Sequence, residues 1–353
     1  VIIACVNQDR GIRPGAAKGA AVHLAAMRAA FERAGAELLC VDEHDDADLR
    51  AELEPALASG QIDLVYERYA LGKGLAQELA QRYGVPHTLE VNAPLLEEAA
   101  RYREHQISPE ERQAEQRLFA GSDLILCVSA DLCRYVSERR GSSNGVVHAP
   151  NAVGPEFLSD ARRQPDFTTP GRLVIGFHGR LRPWHAFDRT VLLMTRLLER
   201  GHNVELALLG AGDFSAETGA LPKDRLRRVE WVPPQEVPAY VACFDLTVLP
   251  YRSSAPAWFS PLKLAEAMSQ GAVPVVSDHG DLPLLVDRDI SGRVVPADDD
   301  AALLAAVEGL LLDANSRGRL SRAARQRGRA RTWDHLAAPV IALAARARGA
   351  KIR

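Results

Sequence analysis

The sequence predicts an α/β protein built of two successive doubly wound, Rossmann-like domains. Three observations predict it. Buried-strand and helix signatures alternate over most of the chain. A stretch from Gly154 to Gly171, punctuated by proline and glycine, divides that alternation into two runs. The 353 residues suffice for two domains of ordinary size. The expected bounds are a first domain over 1–155, a linker over 156–170, a second domain over 171–332 and a closing helix over 333–353.

In the first run, Val1 to Val6 reads as a buried strand. A glycine-rich, basic loop follows from Gln8 to Gly19. Ala20 to Ala34 is the helix, stopped by Gly35, and Ala36 to Val41 is the second strand. This is a βαβ unit with a long loop, and it lacks the G-x-G-x-x-G of dinucleotide binders. Ile62 to Tyr66 and Val85 to Val91 are the next strands, with a helix over Leu75 to Tyr83 between them. Their C-terminal ends carry Glu67, Arg68, Glu90 and Asn92. Ligands of open α/β sheets gather outside such ends. Leu95 to Ala120 reads mostly as charged helix, interrupted at Ser108-Pro109. A strand over Leu124 to Ser129, a helix over Ala130 to Arg139 and a short strand over Gly145 to His148 complete the run.

In the second run, Leu173 to Phe177 is a strand that feeds the loop His178 to His185 and a helix near Phe187 to Arg200. Val204 to Gly210, Val229 to Pro233 and Asp245 to Pro250 are further strands, with a helix over Gln235 to Cys243. The stretch from Trp258 to Gly271 organises the rest. Pro261 suits a first helical turn, Leu262 to Met268 are helix formers, and Gly271 is a stop. A buried strand over Ala272 to Ser277 follows. A loop feeding a helix N-terminus offers backbone N–H groups and the positive end of the helix dipole, a place for phosphate. Lys263 adds a mobile positive charge there. Glu266, about one turn on, suits sugar hydroxyls. An ordinary capped helix with solvated Lys263 and Glu266 is the alternative reading of the same residues.

The C-terminal part opens with an amphipathic helix over Ala301 to Leu312. Arg317, Arg319, Arg322, Arg325, Arg327, Arg329 and Arg331 follow within a short span. They form either a patch for anionic lipid or an acidic partner, or a solvated face paired with acids elsewhere. A final helix from Trp333 closes the chain.

Composition narrows the function classes. A formal net charge of −3 argues against general nucleic-acid binding. No apolar run reaches membrane-span length, and no basic flank precedes the apolar start. The five cysteines have neither zinc-knuckle nor redox-dithiol spacing and suit a reducing cytoplasm. The expected location is cytoplasmic, with a peripheral contact at the inner face of the membrane as its extension.

The residues Ser260-Pro261-Leu262-Lys263-Leu264, Glu266-Ala267-Met268, Gly271 and Pro274-Val275-Val276 resemble the nucleotide-sugar segment of the family 4 retaining glycosyltransferases, the glycosyl transferases group 1. His178-Gly179-Arg180-Leu181 resembles the G-R-L-x-x-x-K-G loop of that family, with His185 where its lysine stands. Pro150-Asn151-Ala152-Val153 resembles its P-N-G-V segment. The likeness is close over about Leu173 to Val295 and looser over Val1 to Val153.

The resemblance implies a GT-B fold, two Rossmann-like domains facing across a cleft, with the last helix packing back on the first domain. It implies that Glu266 binds the nucleotide ribose. Ser260, Pro261, Leu262 and Lys263, with Gly179 and Arg180, then contact the donor diphosphate. Arg182 is the expected substitute for the missing lysine, beside His185. Trp231 and Val232 fall where the family reads the base with backbone groups. Gly15 and Gly19, and after them Lys18, fall in the loop that faces donor phosphates and acceptor, with His23 a lesser candidate in the helix that follows. Trp258 stands where the family often has a glutamate against the donor sugar. Asn92 stands where many members carry histidine.

The implied activity is metal-independent, retaining transfer of a sugar from a nucleotide-diphosphate sugar, UDP- or GDP-linked, to an acceptor hydroxyl. Arg180, Lys263, Glu90 and Asn92 are the expected catalytic residues, with no metal ligands and no cofactor. The acceptor is a sugar, a lipid-linked sugar or a natural-product aglycone. The alternatives are an epimerase or hydrolase of nucleotide sugars on the same fold, or a non-catalytic nucleotide-binding partner subunit.

Overall fold

The computed structural model describes residues 1–12, 19–210 and 218–351. They form two compact units. One comprises Val1–Asn151, Trp258–Ser260 and Trp333–Arg353, the other Ala152–Ala257 and Pro261–Thr332.

The first unit holds six parallel strands: β1 Ile2–Asn7, β2 Glu37–Val41, β3 Leu64–Arg68, β4 His87–Val91, β5 Leu124–Cys127 and β6 Val146–His148. Their order across the sheet is β2-β1-β3-β4-β5-β6. Strands β3 and β4 are buried throughout, as befits a parallel sheet covered on both faces. The helices are α1 Gly19–Arg33, α2 Asp46–Ala58, α3 Leu75–Arg82, α4 Leu95–Arg103, α5 Pro109–Gly121 and α6 Ala130–Arg140. The charged segment splits into α4 and α5 for a local reason. Ser108 and Glu111 form a capping box and Pro109 opens α5, so a new helix starts there. Leu49, Leu53 and Leu79 fill one core of this unit, and Leu89, Phe119 and Leu132 another. The closing helix Trp333–Lys351 belongs to this unit and packs on α1. Arg33 meets Asp334 there at 2.5 Å.

The second unit holds β7 Leu173–His178, β8 Val204–Leu209, β9 Leu226–Val229, β10 Leu246–Leu249, β11 Val273–Ser277 and β12 Arg293–Val295. All run parallel in the order β12-β11-β10-β7-β8-β9. The chain moves outward from β7 through β8 to β9, then returns to place β10 on the other side of β7. The C-terminal ends of β7 and β10 therefore flank the topological switch point, where ligands of doubly wound sheets bind. The helices of this unit are α7 Phe187–Glu199, α8 Val237–Val241, α9 Leu262–Ser269, α10 Leu282–Val286, α11 Asp300–Leu312 and α12 Ala314–Ala330.

Strand β9 lies earlier than the expected Val229 to Pro233. Pro233 and Pro234 have no N–H for a strand ladder, and Pro234–Glu236 turns into a 3-10 helix instead. The arginine-rich segment is α12, and most of its arginines face inward contacts. Arg329 Nε donates to the Ser269 carbonyl (3.0 Å), Arg325 to Gln270 (3.2 Å) and Arg327 Nε to Leu285 (2.9 Å). Arg317 donates to Leu310 (2.6 Å) and Arg329 also reaches Asp160 (2.5 Å). Helix ends leave carbonyls without partners, and these guanidinium groups supply them. Gly328 makes the close approach workable, because a Cβ there would lie 2.5 Å from the Ser269 nitrogen.

Among the described residues, no helix is long and apolar enough to cross a membrane.

Candidate active site

The switch point of the second sheet is built from both of its flanking strands. Strand β7 ends at His178 and turns at Gly179, whose φ is +88°. The Gly179 N–H donates to Leu209 at the end of β8 (2.8 Å). A short turn, Pro183–His185, leads into α7. On the other flank, β10 runs on to the buried Tyr251. Arg189 of α7, itself buried, holds the Pro250 carbonyl (2.9 Å) and Asp300 (2.7 Å). The exit from β10 is thereby fixed.

Helix α9 starts beside these strands. Pro261 occupies its N-cap position and no side chain caps the helix. A proline cap has no side-chain acceptor; the Leu264 N–H donates to the Pro261 carbonyl (3.1 Å), and those of Leu262 and Lys263 point out of the helix start, where an anion can accept. Lys263 sits in the first turn and Glu266 in the next. Glu266 Oε2 lies 2.7 Å from His178 Nε2. The imidazole is buried and its Nδ1 has no hydrogen-bond partner. His178 thus orients the carboxylate of Glu266 without competing for its outer oxygen.

Lys263 is held more tightly than a surface lysine. Its Nζ lies 3.8 Å from the centre of the Phe177 ring and 3.2 Å from His185 Nε2. Burial lowers its pKa to about 7, opposed by the charge of Glu266. His185 packs edge-on against Phe177 and stacks on Tyr251. Its Nδ1 accepts the Arg182 backbone N–H at 3.1 Å. Burial, then the charges of Lys263 and Arg182, lower its pKa to about 2. The imidazole is neutral at any ordinary pH. Arg182 lies over the face of Trp184, and Arg180 is exposed just after Gly179.

The expected residues divide between the two units. Gly179, Arg180, Arg182, His185, Pro261, Leu262, Lys263 and Glu266 lie along the β7 and β10 ends of the second unit. Trp231 and Val232 come just after β9, and Trp231 is 65% exposed. Ser260 and Trp258 belong to the first unit. Ser260 Oγ accepts the Asn151 N–H (2.8 Å), and its carbonyl accepts from the Asn151 amide (2.5 Å). The Trp258 indole donates to Glu98 at 2.9 Å, and its ring packs on the core around Phe119. Trp258 is thus held as a packing residue with a polar tip. Gly19 opens α1 and is exposed. Gly15 and Lys18 lie outside the described residues.

Glu90 stands at the centre of a buried hydrogen-bond network. It is 1% exposed, and its oxygens accept from Tyr66, Arg68, Asn92 and His23 Nε2, the last at 2.9 Å. Burial works to raise its pKa. His23 and Arg68, with the hydrogen bonds from His23 and Tyr66, outweigh that and hold it well below the usual carboxylate range. His23 Nδ1 meets Asn151 Oδ1 at 2.6 Å, so both ring nitrogens face acceptors. All four donors are spent on one carboxylate. Glu90, expected as a catalytic residue, is enclosed by these protein donors. Asn92 is the half-buried member at the edge of the network.

Sequence reasoning missed His178 as a site residue. The available signal was its position, the last residue of a strand at a switch point.

Residues 172–313 match the sequence profile of the family described as Glycosyl transferases group 1. The likeness to this family lies in the second unit. A D-inositol 3-phosphate glycosyltransferase of Mycobacterium marinum is 27% identical over 311 residues, covering 84% of this chain and 66% of that protein. A phosphatidyl-myo-inositol mannosyltransferase of Mycolicibacterium smegmatis is 26% identical over 62% of this chain and 56% of that protein. The chain therefore spans about two thirds of the first of these relatives and less of the second. Among solved structures, a sucrose-phosphate synthase from Thermosynechococcus elongatus superposes with a TM-score of 0.72 at 15% identity, covering 99% of both chains. HepE of Anabaena, in complex with UDP and glucose, superposes with a TM-score of 0.67 at 15% identity, covering 97% of this chain and 98% of that one. These two likenesses show that the chain has the GT-B fold. His178 to His185 and Pro261 to Glu266 fall inside the matched profile.

Proposed function

We propose that this glycosyltransferase moves a sugar from a nucleotide-diphosphate sugar to an acceptor hydroxyl, with retention at the anomeric carbon and without a metal ion. The observation that carries the reading is the Glu266–His178 pair, one helical turn from Lys263 and the uncapped start of α9. An oriented carboxylate suits the two hydroxyls of a ribose. The helix start, Lys263 and Arg180 suit a diphosphate, and Arg182 and His185 add donors beside them.

In this reading the positive groups stabilise the charge that develops on the leaving diphosphate, the work a divalent ion does elsewhere. The leaving phosphate oxygen takes the proton of the acceptor hydroxyl on the same face as the departing bond, which gives retention. Arg180 and Lys263 are the catalytic groups at the phosphate. Asn92, which cannot exchange protons, serves by hydrogen bonding. A UDP- or GDP-linked donor fits this chemistry equally. The relatives named for inositol phosphate and phosphatidylinositol acceptors support a polyol hydroxyl as acceptor.

The test is calorimetric titration with UDP, GDP, ADP and dTDP, with and without Mg²⁺, followed by turnover with sugar donors of the base that binds. Selective binding without metal, and a product of the donor's own anomeric configuration by NMR, is expected. A folded protein that binds none of the four, or a product of inverted configuration, overturns the reading.

A further inference from the structure

Around His185 the hydrogen-bond donors and acceptors do not balance if Lys263 is an ammonium. A neutral imidazole has one accepting nitrogen and one N–H. The accepting nitrogen is fixed as Nδ1, because the Arg182 backbone N–H points at it at 3.1 Å. Nε2 therefore carries the hydrogen, and it faces Lys263 Nζ at 3.2 Å. An ammonium there would set N–H against N–H. The alternative tautomer only moves the clash to Arg182. One proton is in surplus among three groups.

We propose that His185 and Lys263 form a coupled diphosphate contact in which the empty site holds Lys263 as a neutral amine accepting from His185 Nε2–H, and an arriving diphosphate adds one proton from solvent to Nζ. The resulting ammonium turns to the phosphate oxygens, and the freed Nε2–H donates to the same anion. The inference rests on the donor-site reading given above and deepens it.

Groups from four elements face Lys263. On its own helix Glu266 favours the charged form, but that carboxylate is already engaged by His178 from β7. From β7 the Phe177 ring faces Nζ and supplies no acceptor lone pair. From the turn before α7 come His185 and Arg182, a donor and a positive charge. Tyr251, after β10, lies against His185, and burial keeps its phenol protonated. Burial brings Lys263 to about 7, so neither protonation state is remote. An anion is the one missing partner that satisfies both donors.

The test is titration calorimetry of the intact protein with UDP and GDP at pH 8, in HEPES and in Tris, which differ in ionisation enthalpy. Nucleotide phosphates are fully ionised at that pH, so proton uptake reports on the protein. Uptake of about one proton per nucleotide is expected, and affinity should fall about tenfold per pH unit above 7. Lys263→Arg keeps a permanent charge and should bind without uptake and with that slope removed. Lys263→Met should bind more weakly, also without uptake. His185→Phe should weaken binding about tenfold at pH 6, where Lys263 is already charged. Wild-type binding without proton uptake, or uptake that survives in Lys263→Arg or Lys263→Met, overturns the proposal while leaving the donor site in place. Unchanged binding of His185→Phe at pH 6 overturns the contact from His185. Failure of both nucleotides to bind the folded protein overturns the donor-site reading itself.

Discussion

His178 Nε2 and Glu266 Oε2 lie 2.7 Å apart, joining the last residue of β7 to the second turn of α9. The bond spans the topological switch of the second sheet. It fixes a carboxylate that the helix alone would leave free to rotate. A charge-assisted hydrogen bond of this kind contributes about 1.5–3 kcal/mol.

A ribose contact through that carboxylate has a direct consequence. Glu266→Ala should lose affinity for the cognate nucleoside diphosphate by about tenfold or more. It should also lose discrimination between the ribonucleotide and its 2′-deoxy form. His178→Phe should bind more weakly than wild type by up to about tenfold while keeping some of that discrimination, because it disturbs position and not contact. Calorimetry with both nucleotides reads the difference. Equal binding of the two nucleotides by wild type would exclude the ribose contact.

Glu90 makes a prediction about stability. Removing it leaves Arg68 buried without its partner, and breaking such a pair costs about 3–5 kcal/mol. Glu90→Ala should therefore lower the melting temperature by many degrees. The pH dependence follows from the depressed pKa. The folded value lies below the unfolded one, so the contribution is fully present above the unfolded value of about 4.3. It is lost as pH falls from there through the folded value. Thermal melts of wild type should fall steeply below about pH 4, and Glu90→Gln should show a shallower fall over the same range. Parallel pH curves for the two proteins would rule this out.

The fold was legible where burial alone dictates the residue pattern. Strands such as Val273–Ser277 are buried throughout, and continuous apolar runs announce them. Helix α9 was legible through its proline start and glycine stop. Strand β9 was misplaced because it is a partly exposed edge strand with arginines, while the more apolar residues after it end in prolines. Pairings across long sequence separations left no trace. Trp258 finds Glu98 from 160 residues away, and nothing local to either residue marks that bond. The arginines of α12 looked like a solvated or lipid-facing patch. Their carbonyl partners are backbone groups, which no side-chain pattern records. Nothing local marked His178, because its partner Glu266 lies 88 residues along the chain.

Gly210 links the sheet to the Gly179 loop. Its φ is +142°, a region that side chains rarely adopt, and a Cβ there would lie 2.5 Å from the Gly179 carbonyl oxygen. Neither the backbone of Gly179 nor that of Gly210 can shift freely, since each N–H is bonded to a neighbouring strand end. Gly210→Ala should cost about 1–3 kcal/mol of stability. It should also weaken nucleotide binding by displacing Gly179 and Arg180. A stable Gly210→Ala protein with wild-type affinity would show that the loop does not depend on this approach.

Gly328 tests whether α12 positions α9. The two helices touch backbone to backbone, and a methyl group at 328 would meet the Ser269 nitrogen at 2.5 Å. Arg329 caps the far end of α9 through the Ser269 carbonyl, and Arg325 does the same through Gln270. Gly328→Ala must push the C-terminal end of α9 away, which tilts its start and moves Lys263 relative to His185. A loss of about 1–3 kcal/mol in stability is expected, together with weaker diphosphate binding. Arg329→Met separates the two effects. It removes a carbonyl partner without adding bulk, so it should destabilise by about 1 kcal/mol or somewhat more and leave nucleotide affinity close to wild type. Denaturant unfolding and calorimetry on both variants check this. If Gly328→Ala lowers stability yet binds nucleotide as wild type does, the start of α9 is held by β7 and β10 alone, and α12 serves only as its cover.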